Sequence, residues 1–187
     1  YLTTTLHKAE RLDELINEFF EITRFNLSNV PLQYHQIDLT RLLEQLAFEA
    51  QPLLDSKNLH CQLDLPDSLP LRCDPDKIQR VLDNLLRNAI LYGYDGSTIT
   101  LSARQEKSNA VIRVQNQGDT IPAEKLARLF EQFFRLDSAR STSGGAGLGL
   151  AIAKEITVQH GGNIFAESTD NTILFTVMLP LNQPALS

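Results

Sequence analysis

The change of hydrophobic period along the chain constrains its fold more than any other feature of the sequence. Two neighbouring segments alternate apolar and polar residues, which is typical of half-buried strands. Their apolar positions are Ile99, Leu101 and Ala103, and then Ala110, Ile112 and Val114. Flanking segments carry apolar residues three or four apart, which predicts amphipathic helices. We therefore predict an α/β fold with helices on one face of a mixed sheet.

The boundaries of the predicted elements follow from residues that begin or end helices. Asp38 can cap one helix, Pro75 opens another, and Gly161 with Gly162 stops the last. Helices are predicted at Leu42–Leu54, Asp76–Tyr92, Ala123–Phe130 and Leu148–Gln159. Further strands are predicted around Gln62–Leu65, Leu71–Cys73, Ile164–Glu167 and Ile173–Leu179.

The beginning of the chain has its own pattern. From Leu2 to about Phe25 the apolar residues recur three or four apart, which predicts a helix suited to a coiled coil or a helical bundle. A plain amphipathic helix packed on its own domain is the alternative. The polar stretch that follows contains Pro31 and predicts a hinge. We divide the chain into a helical unit at 1–29, a linker at 30–36, an α/β domain at 37–182 and a tail at 183–187.

Composition excludes several classes of function. The formal net charge of −6 argues against a surface for nucleic acid or anionic membrane, because such surfaces need a basic stripe. No apolar run approaches the roughly 18 residues that a membrane-spanning helix requires. Cys61, Cys73 and the four histidines lack the spacing of a zinc site. Because the sequence opens at Tyr1 in mid-pattern, we expect a piece of a longer protein.

Two asparagines lie one turn apart on the helix Asp76–Tyr92. The side chains of Asn84 and Asn88 therefore project on the same side, beside an apolar stripe. Asparagine is disfavoured inside helices because its side chain competes for backbone hydrogen bonds. A single interior asparagine is usually a structural polar group, whereas a pair at i and i+4 favours a shared ligand. Neutral amide oxygens suit Mg²⁺ that arrives with phosphate charge.

A glycine-rich segment precedes the last helix and reads STSGGAGLGLAI from Ser141 to Ile152. Glycine lets backbone amides approach a phosphate closely, and a helix beginning at Leu148 would direct its positive end at an anion. The dinucleotide fingerprint fails because Ile152 stands where it needs glycine. The Walker pattern fails because Leu150-Ala151 replaces its Lys-Ser/Thr pair. By itself, the segment is equally consistent with a flexible linker.

Two weaker signals lie between these segments. A strand runs into a glycine turn at Val114–Pro122 (VQNQGDTIP), and aromatics alternate with charge at Phe130–Asp137 (FEQFFRLD), with Arg140 beyond. Alone, the first is an ordinary strand end, and the second is an ordinary group of core aromatics beside solvated arginines. Their order relative to the asparagine pair and the glycine-rich segment makes them informative.

Taken in order, the four segments resemble the nucleotide-binding boxes of sensor histidine kinases. Asn84–Ala89 resembles the N box, Asn116–Pro122 the first glycine box, Phe130–Arg135 the F box and Gly145–Gly149 the second glycine box. The resemblance covers Asp74 to Gly162, and the N-terminal helix is similar to the second helix of the family's dimerisation bundle. The stretches Glu18–Phe25 and Gly144–Ile156 resemble, more narrowly, the VanS sensor kinases that govern inducible vancomycin resistance.

The resemblance implies a two-layer α/β sandwich of the histidine kinase and Hsp90-like ATPase type, which binds ATP and Mg²⁺ between sheet and helices. Asn88 and Asn84 would hold Mg²⁺ and the phosphates, and Arg135 or Arg140 would lie near the γ-phosphate. Asn116 and Gly118 would meet the adenine. The remaining implied nucleotide-binding residues are Tyr92, Ile121, Phe130, and the lid and helix residues Gly145, Gly147, Leu148 and Gly149.

The resemblance also implies a parent protein. It would be a membrane sensor kinase whose cytoplasmic portion contains this chain and forms a homodimer through its helical bundle. The kinase would transfer the γ-phosphoryl of ATP to a histidine on the first bundle helix, and then to an aspartate of a response regulator. The family's phosphoacceptor box is absent from this sequence, since His7 lies in the wrong helix and lacks its context.

The sequence departs from the family's pattern at three positions. Asn116 stands where aspartate is usual, Thr120 where a second glycine is usual, and Leu91 where lysine is frequent. A degenerate domain kept for dimerisation or partner docking is therefore an alternative. Clamp ATPases such as type II topoisomerases and chaperones share the fold, but they need a carboxylate at Asn84 to activate water. An anti-sigma serine kinase would lack the helix Leu2–Phe25.

Overall fold

The computed structural model describes residues 31–136 and 147–181, together with Ile16. The strands are β1 (His35–Asp38), β2 (His60–Asp64), β3 (Pro70–Cys73), β4 (Thr98–Glu106), β5 (Asn109–Gln117), β6 (Asn163–Thr169) and β7 (Thr172–Pro180). The helices are α1 (Leu39–Glu49), α2 (Gln51–Asp55), α3 (Pro75–Tyr92), α4 (Ala123–Leu126) and α5 (Gly149–Gln159).

Five of the strands form one mixed sheet in the order β2-β4-β5-β7-β6. The β2–β4 pair is parallel and the other pairs are antiparallel. Strands β1 and β3 form a separate antiparallel pair. The predicted architecture, helices on one face of a mixed sheet, is confirmed.

The core lies between the sheet and the helices because both layers place apolar residues on the facing sides. Alternate residues of β5 are buried at Ala110, Ile112 and Val114, as are Phe175 and Val177 of β7. Helix α3 buries one complete stripe against them: Ile78, Val81, Leu82, Leu85, Leu86, Ala89 and Ile90. The spacing of this stripe is the helical period that the sequence shows.

Local chemistry explains where the helices begin and end. The Asp74 side chain accepts the Lys77 backbone N–H at the start of α3, and Pro75 occupies its first turn. The side chain of Asp38 caps α1 in the same way through the Thr40 N–H. Gly161 follows α5 with a φ of +68°, the left-handed conformation that ends helices at glycine.

The observed elements differ from the predicted ones at three places. The helix predicted at Leu42–Leu54 begins at Leu39 and is divided after Glu49, where Pro52 has no N–H to continue the helical ladder. The helix predicted at Ala123–Phe130 is α-helical only to Leu126. Strand β1 was not predicted, because Ile37 is the only apolar residue among its four and no alternation of apolar and polar residues marks it.

Apart from Ile16, the predicted helical unit at 1–29 falls outside the described residues. The same is true of the beginning of the linker, the tail at 183–187, and Ser141–Ala146 of the glycine-rich segment. In the part of the chain that is described, no helix combines the length and the apolar character needed to cross a bilayer.

Candidate functional site

A cleft of about 180 Å³ lies between helix α3, the start of α5 and the segment that follows β5. Amide and guanidinium groups line one part of it, and aliphatic and aromatic side chains line the other. The lining residues are Asn84, Arg87, Asn88, Leu91, Tyr92, Ile121, Leu129, Phe134, Arg135, Leu136, Gly147, Gly149, Leu150, Ile173 and Phe175.

Helix α3 supplies a continuous stripe of this lining. Its members stand at positions i, i+3, i+4, i+7 and i+8, so they share one helix face: Asn84, Arg87, Asn88, Leu91 and Tyr92. The guanidinium of Arg87 also pairs with the Asp83 carboxylate at 2.7 Å. Both partners are largely exposed, so this pair contributes little stability and leaves the arginine at the rim of the cleft.

Asn84 is packed against the beginning of α5. A Cβ atom at Gly149 would lie 3.0 Å from the Asn84 Oδ1, so glycine allows this close approach. The Asn84 Nδ2 is buried and has no hydrogen-bond partner among the described residues. An unpaired buried donor costs about 1–3 kcal/mol, which favours a ligand that brings an acceptor to this position.

Asn116 is the second unpaired amide and the more buried one. It lies near the end of β5 with 1% of its surface exposed. Neither its Oδ1 nor its Nδ2 has a partner within the described part of the chain. Asn116 lies behind the lining of the cleft: a Cβ at Gly118 would be 3.1 Å from its Nδ2 and 3.2 Å from the Cδ1 of Ile173, which is a lining residue.

Gly147, two residues before α5, contacts the backbone of the aromatic segment at Phe133 and Phe134. The Phe133 N–H donates to the Gly147 carbonyl at 3.1 Å, and both residues have positive φ, 62° and 79°. A Cβ at position 147 would lie 2.8 Å from the Phe134 carbonyl oxygen. A bulky residue rarely adopts such a backbone conformation, and strain of this kind concentrates at functional sites.

A smaller cleft adjoins the first and shares four lining residues with it: Tyr92, Ile121, Leu136 and Ile173. Asp119, Thr120, Pro122 and Lys125 complete its lining. The Tyr94 hydroxyl donates to the Asp119 carboxylate at 2.8 Å, and this hydrogen bond raises the pKa of Tyr94 above its ordinary value of 10.0. The turn after α3 is thereby tied to the turn after β5.

The cleft brings together most of the described residues that the sequence indicated. Lining residues among them are Asn84, Asn88, Tyr92, Ile121, Arg135, Gly147 and Gly149. Phe130 instead packs edge-on against the ring of Phe175 at 6.4 Å, and Leu148 is buried. Asn116 and Gly118 lie behind the lining, and Arg140 and Gly145 are outside the described residues.

The lining residues that sequence reasoning missed fall into two groups. Arg87 shares the helix face of Asn84 and Asn88, so the helical period alone could have identified it. Leu91 lies on that face as well, and Phe134, Leu136 and Leu150 lie within segments that the sequence singled out. The others carry no local signal, because sheet register and loop packing place them at the cleft: Leu129, Ile173 and Phe175.

Helices cover one face of the mixed sheet, and a half-polar cleft lies between a long helix and a glycine-rich helix start. Together these features define a class of nucleotide-binding domain. The sequence model of the family described as "Histidine kinase-, DNA gyrase B-, and HSP90-like ATPase" matches residues 73–183. The chain belongs to this family, and membership implies ATP as the nucleotide.

Individual relatives narrow the placement. The chain is 52% identical to the sensor protein VanSC of Enterococcus gallinarum and 49% identical to the sensor protein VanS of Enterococcus faecium, in each case over 96% of its length. It spans about half of those curated relatives, 50% and 47%. The structure is similar to that of the Acinetobacter baumannii histidine kinase AdeS, with a TM-score of 0.81 and 26% identity over 97% of this chain and 84% of that one. The predicted histidine kinase ATP-binding domain and the resemblance to the VanS group are confirmed.

Proposed function

We propose that this domain binds Mg·ATP in the cleft and donates the γ-phosphoryl group to a histidine that is not among those of this sequence. The unpaired amides of Asn84 and Asn116 carry the proposal. Two such groups beside one cleft are costly in a domain without a ligand, and hydrogen bonds from a nucleotide would satisfy them.

The α3 amides fit the metal and the phosphates. Asn84 presents a buried, unpaired Nδ2, which is a donor and suits a phosphate oxygen. Asn88 lies one turn further along the same face, is half-buried and lines the cleft, so its Oδ1 is proposed as the ligand to Mg²⁺. Asn84 is proposed to assist it. Mg²⁺ held there would supply positive charge to offset the charge of the phosphates.

Positive charge and backbone amides supply the rest of the phosphate environment. Arg87 and Arg135 line the cleft, and Gly147 and Gly149 lie where the chain enters α5. Glycine at these positions leaves room for close approach of an anion to a helix start. We propose that Arg135, or Arg140 outside the described residues, contacts the γ-phosphate.

The base is proposed to reach Asn116 past Gly118. A side chain at Gly118 would crowd both the Asn116 amide and the Tyr92 carbonyl, from which its Cβ would be only 2.6 Å away. Ile121 and Ile173 provide apolar surface beside this position. The side-chain amide of Asn116 has an NH₂ group that donates hydrogen bonds and an oxygen that accepts them, so it can pair with both a hydrogen-bond acceptor and a donor on a purine.

Simple ATP hydrolysis is less well supported. Among the described residues that line the main cleft there is no aspartate or glutamate that could accept a proton from water. Asn84 occupies the helix position where hydrolysing relatives need a carboxylate, and an amide cannot act as a base. Phosphoryl transfer to an external acceptor needs only positioning and charge stabilisation from this domain.

For the whole protein we propose a sensor kinase of a two-component system. Identity near 50% to VanSC and VanS supports control of vancomycin-resistance genes. The proposed kinase is anchored in the cell membrane with this domain in the cytoplasm, forms a homodimer through its helical bundle, and passes the phosphoryl group to an aspartate of a response regulator.

Calorimetry with Mg·ATP tests the binding proposal. The Asn88→Ala variant should bind Mg·ATP more weakly by about 1.5–3 kcal/mol, because it loses an oxygen ligand at a charged site. Asn163→Ala is the matched control, since Asn163 is an exposed residue at the start of β6. Equal affinities in the wild type and Asn88→Ala would contradict the assignment of Asn88.

Phosphotransfer is tested by mixing the domain and γ-labelled ATP with a helical bundle that contains its own histidine box. We expect acid-labile label on the bundle and none on this chain alone. Stable label on His7 of the isolated chain would contradict the proposed acceptor.

A further inference from the structure

Helix α3, which carries the asparagine pair, ends without the usual terminating devices. Gly93 follows it in an extended conformation, with φ −68° and ψ 144°, instead of the left-handed one. The last turn contains no basic residue. The final carbonyl groups of a helix lack partners inside the helix, so those of α3 need donors from elsewhere.

A single ammonium group from a distant turn provides these donors. The Lys57 Nζ donates to the carbonyl oxygens of Ile90, Leu91 and Gly93 at 3.0, 3.1 and 3.0 Å. Its pairing with Asp95 is longer, 3.6 Å, and the Asp95 side chain is 76% exposed, so that ion pair contributes little. Three carbonyls thus converge on one positive charge at the negative end of the helix dipole.

The end of α3 that Lys57 holds is also the end that contacts the turn after β5. The Tyr94 N–H donates to the Gln117 carbonyl at 2.9 Å, and Gly118 approaches the Tyr92 carbonyl closely. Leu91 and Tyr92 themselves line the cleft. The backbone position of this helix end therefore determines the shape of the cleft beside Gly118 and Asn116.

We propose that Lys57 is a positioning residue for the nucleotide site. Its ammonium group acts as a built-in cation that joins the last carbonyls of α3 and fixes the helix end against the turn at Gly118. This inference rests on the proposed binding of Mg·ATP for its effect on affinity. The contacts of the Lys57 ammonium group with the three carbonyls, which we call the carbonyl clamp, are present in the protein without nucleotide.

A cation-rescue experiment tests the proposal. In Lys57→Ala the three carbonyls remain but the charge is lost, so we expect Mg·ATP to bind roughly tenfold more weakly. The affinity is then measured in ammonium chloride and in tetramethylammonium chloride at the same ionic strength. Ammonium should restore most of the Mg·ATP affinity of Lys57→Ala and should leave the affinity of the wild type unchanged. A small cation fits between the carbonyls, whereas tetramethylammonium has no N–H to donate.

Two matched variants separate the carbonyl clamp from general charge effects. Lys107→Ala removes a lysine from the exposed β4–β5 hairpin, at the opposite end of those strands from Asn116. Asp95→Asn removes only the long ion pair. Both should bind Mg·ATP as the wild type does, with no response to ammonium.

Wild-type affinity in Lys57→Ala would overturn the proposal, and so would a loss that ammonium does not reverse. If Lys57→Ala does not fold, Lys57→Met keeps the side-chain volume, and its Tyr94 amide should exchange hydrogen faster than in the wild type. Unchanged Tyr94 exchange in a folded Lys57→Met would also overturn it. Failure of the wild type to bind Mg·ATP would instead refute the proposed function, while Tyr94 exchange would still test the clamp.

Discussion

Asn84 and Asn116 carry the same functional group in two different settings. Asn84 is half-buried on a helix face with one unpaired nitrogen, whereas Asn116 is almost fully buried with both amide atoms unpaired. The energetic reason to keep the amide is therefore strongest at Asn116. A leucine there would be the better residue for stability alone, because it would leave no polar atom unsatisfied.

Asn116→Asp tests whether this residue reads the base. Among the described residues no donor reaches the amide oxygen, so a carboxylate would be buried without partners. The free energy of unfolding without nucleotide should fall by about 3–5 kcal/mol, because an unpaired buried charge costs more than an unpaired amide. Because a carboxylate only accepts hydrogen bonds, the preference for ATP over GTP should rise. Denaturant titration and calorimetry with both nucleotides measure these effects, with Asn109→Asp at the other end of β5 as control. An unchanged ATP-to-GTP affinity ratio would show that Asn116 does not contact the base.

At the scale of elements, the start of α5 and the Phe133 turn depend on each other. Gly147 accepts the Phe133 N–H and leaves room for the Phe134 carbonyl, and the Arg128 guanidinium lies over the Phe134 ring at 4.6 Å. The two segments therefore form one unit at the mouth of the cleft. A change at one glycine should alter this unit without affecting the sheet.

Gly147→Ala and Gly96→Ala form a matched pair that tests this coupling. Both glycines have positive φ, 79° and 75°, so each alanine costs about 1–2 kcal/mol of stability through backbone strain. A Cβ at Gly96 meets nothing within 4 Å, whereas one at Gly147 collides with backbone. Only Gly147→Ala should weaken Mg·ATP binding, as measured by calorimetry beside thermal unfolding. Equal Mg·ATP affinities in the two variants would show that Gly147 does not contribute to the nucleotide site.

At the scale of the whole molecule, one buried histidine joins three parts of the chain. The His160 Nε2 accepts the Asp74 N–H at 3.1 Å at the start of α3, and its Nδ1 is 2.8 Å from the Ile156 carbonyl of α5. The Asp74 carboxylate accepts the Gln33 N–H, near the point where the described chain enters the domain. The starts of β1 and α3 and the end of α5 are thereby held at one point.

His160 should make stability dependent on pH below neutrality. Burial lowers its pKa from the ordinary 6.5, although the Ile156 carbonyl and the Asp74 charge oppose the shift. Below about pH 6.5 the imidazole of His160 is protonated in the unfolded chain but stays neutral in the native state. The free energy of unfolding therefore falls with falling pH, by up to about 1.4 kcal/mol per pH unit. The slope ends at the lower native pKa, and the stabilisation is complete above pH 6.5.

Denaturant unfolding of the wild type, His160→Gln and His60→Gln between pH 5 and 8 measures this contribution. His160→Gln should have a shallower slope below pH 6.5, since the titrating group is gone. His60→Gln removes an exposed histidine on β2 and serves as the control for the loss of a histidine. Identical slopes in all three proteins would show that His160 titrates alike in the native and unfolded states.

Much of the fold could be predicted from local patterns. The alternation in β4 and β5 and the stripe of α3 are each visible within a few residues, because burial of one face imposes a period on the chain. The division of the α1 helix at Pro52 and the early end of α4 were missed. In those segments backbone hydrogen bonding decides the boundary, and the apolar pattern continues past it.

The sequence by itself determined that Asn84 and Asn88 share a face, because helical spacing is a local property. Only the tertiary structure placed Ile173 beside Asn116, through the β5–β7 register, and Gly118 against the Tyr92 carbonyl. Lys57 reaches carbonyl groups 33–36 residues further along the chain, and no local period encodes that contact. Such contacts depend on how distant segments pack, so they are settled only when the whole core forms.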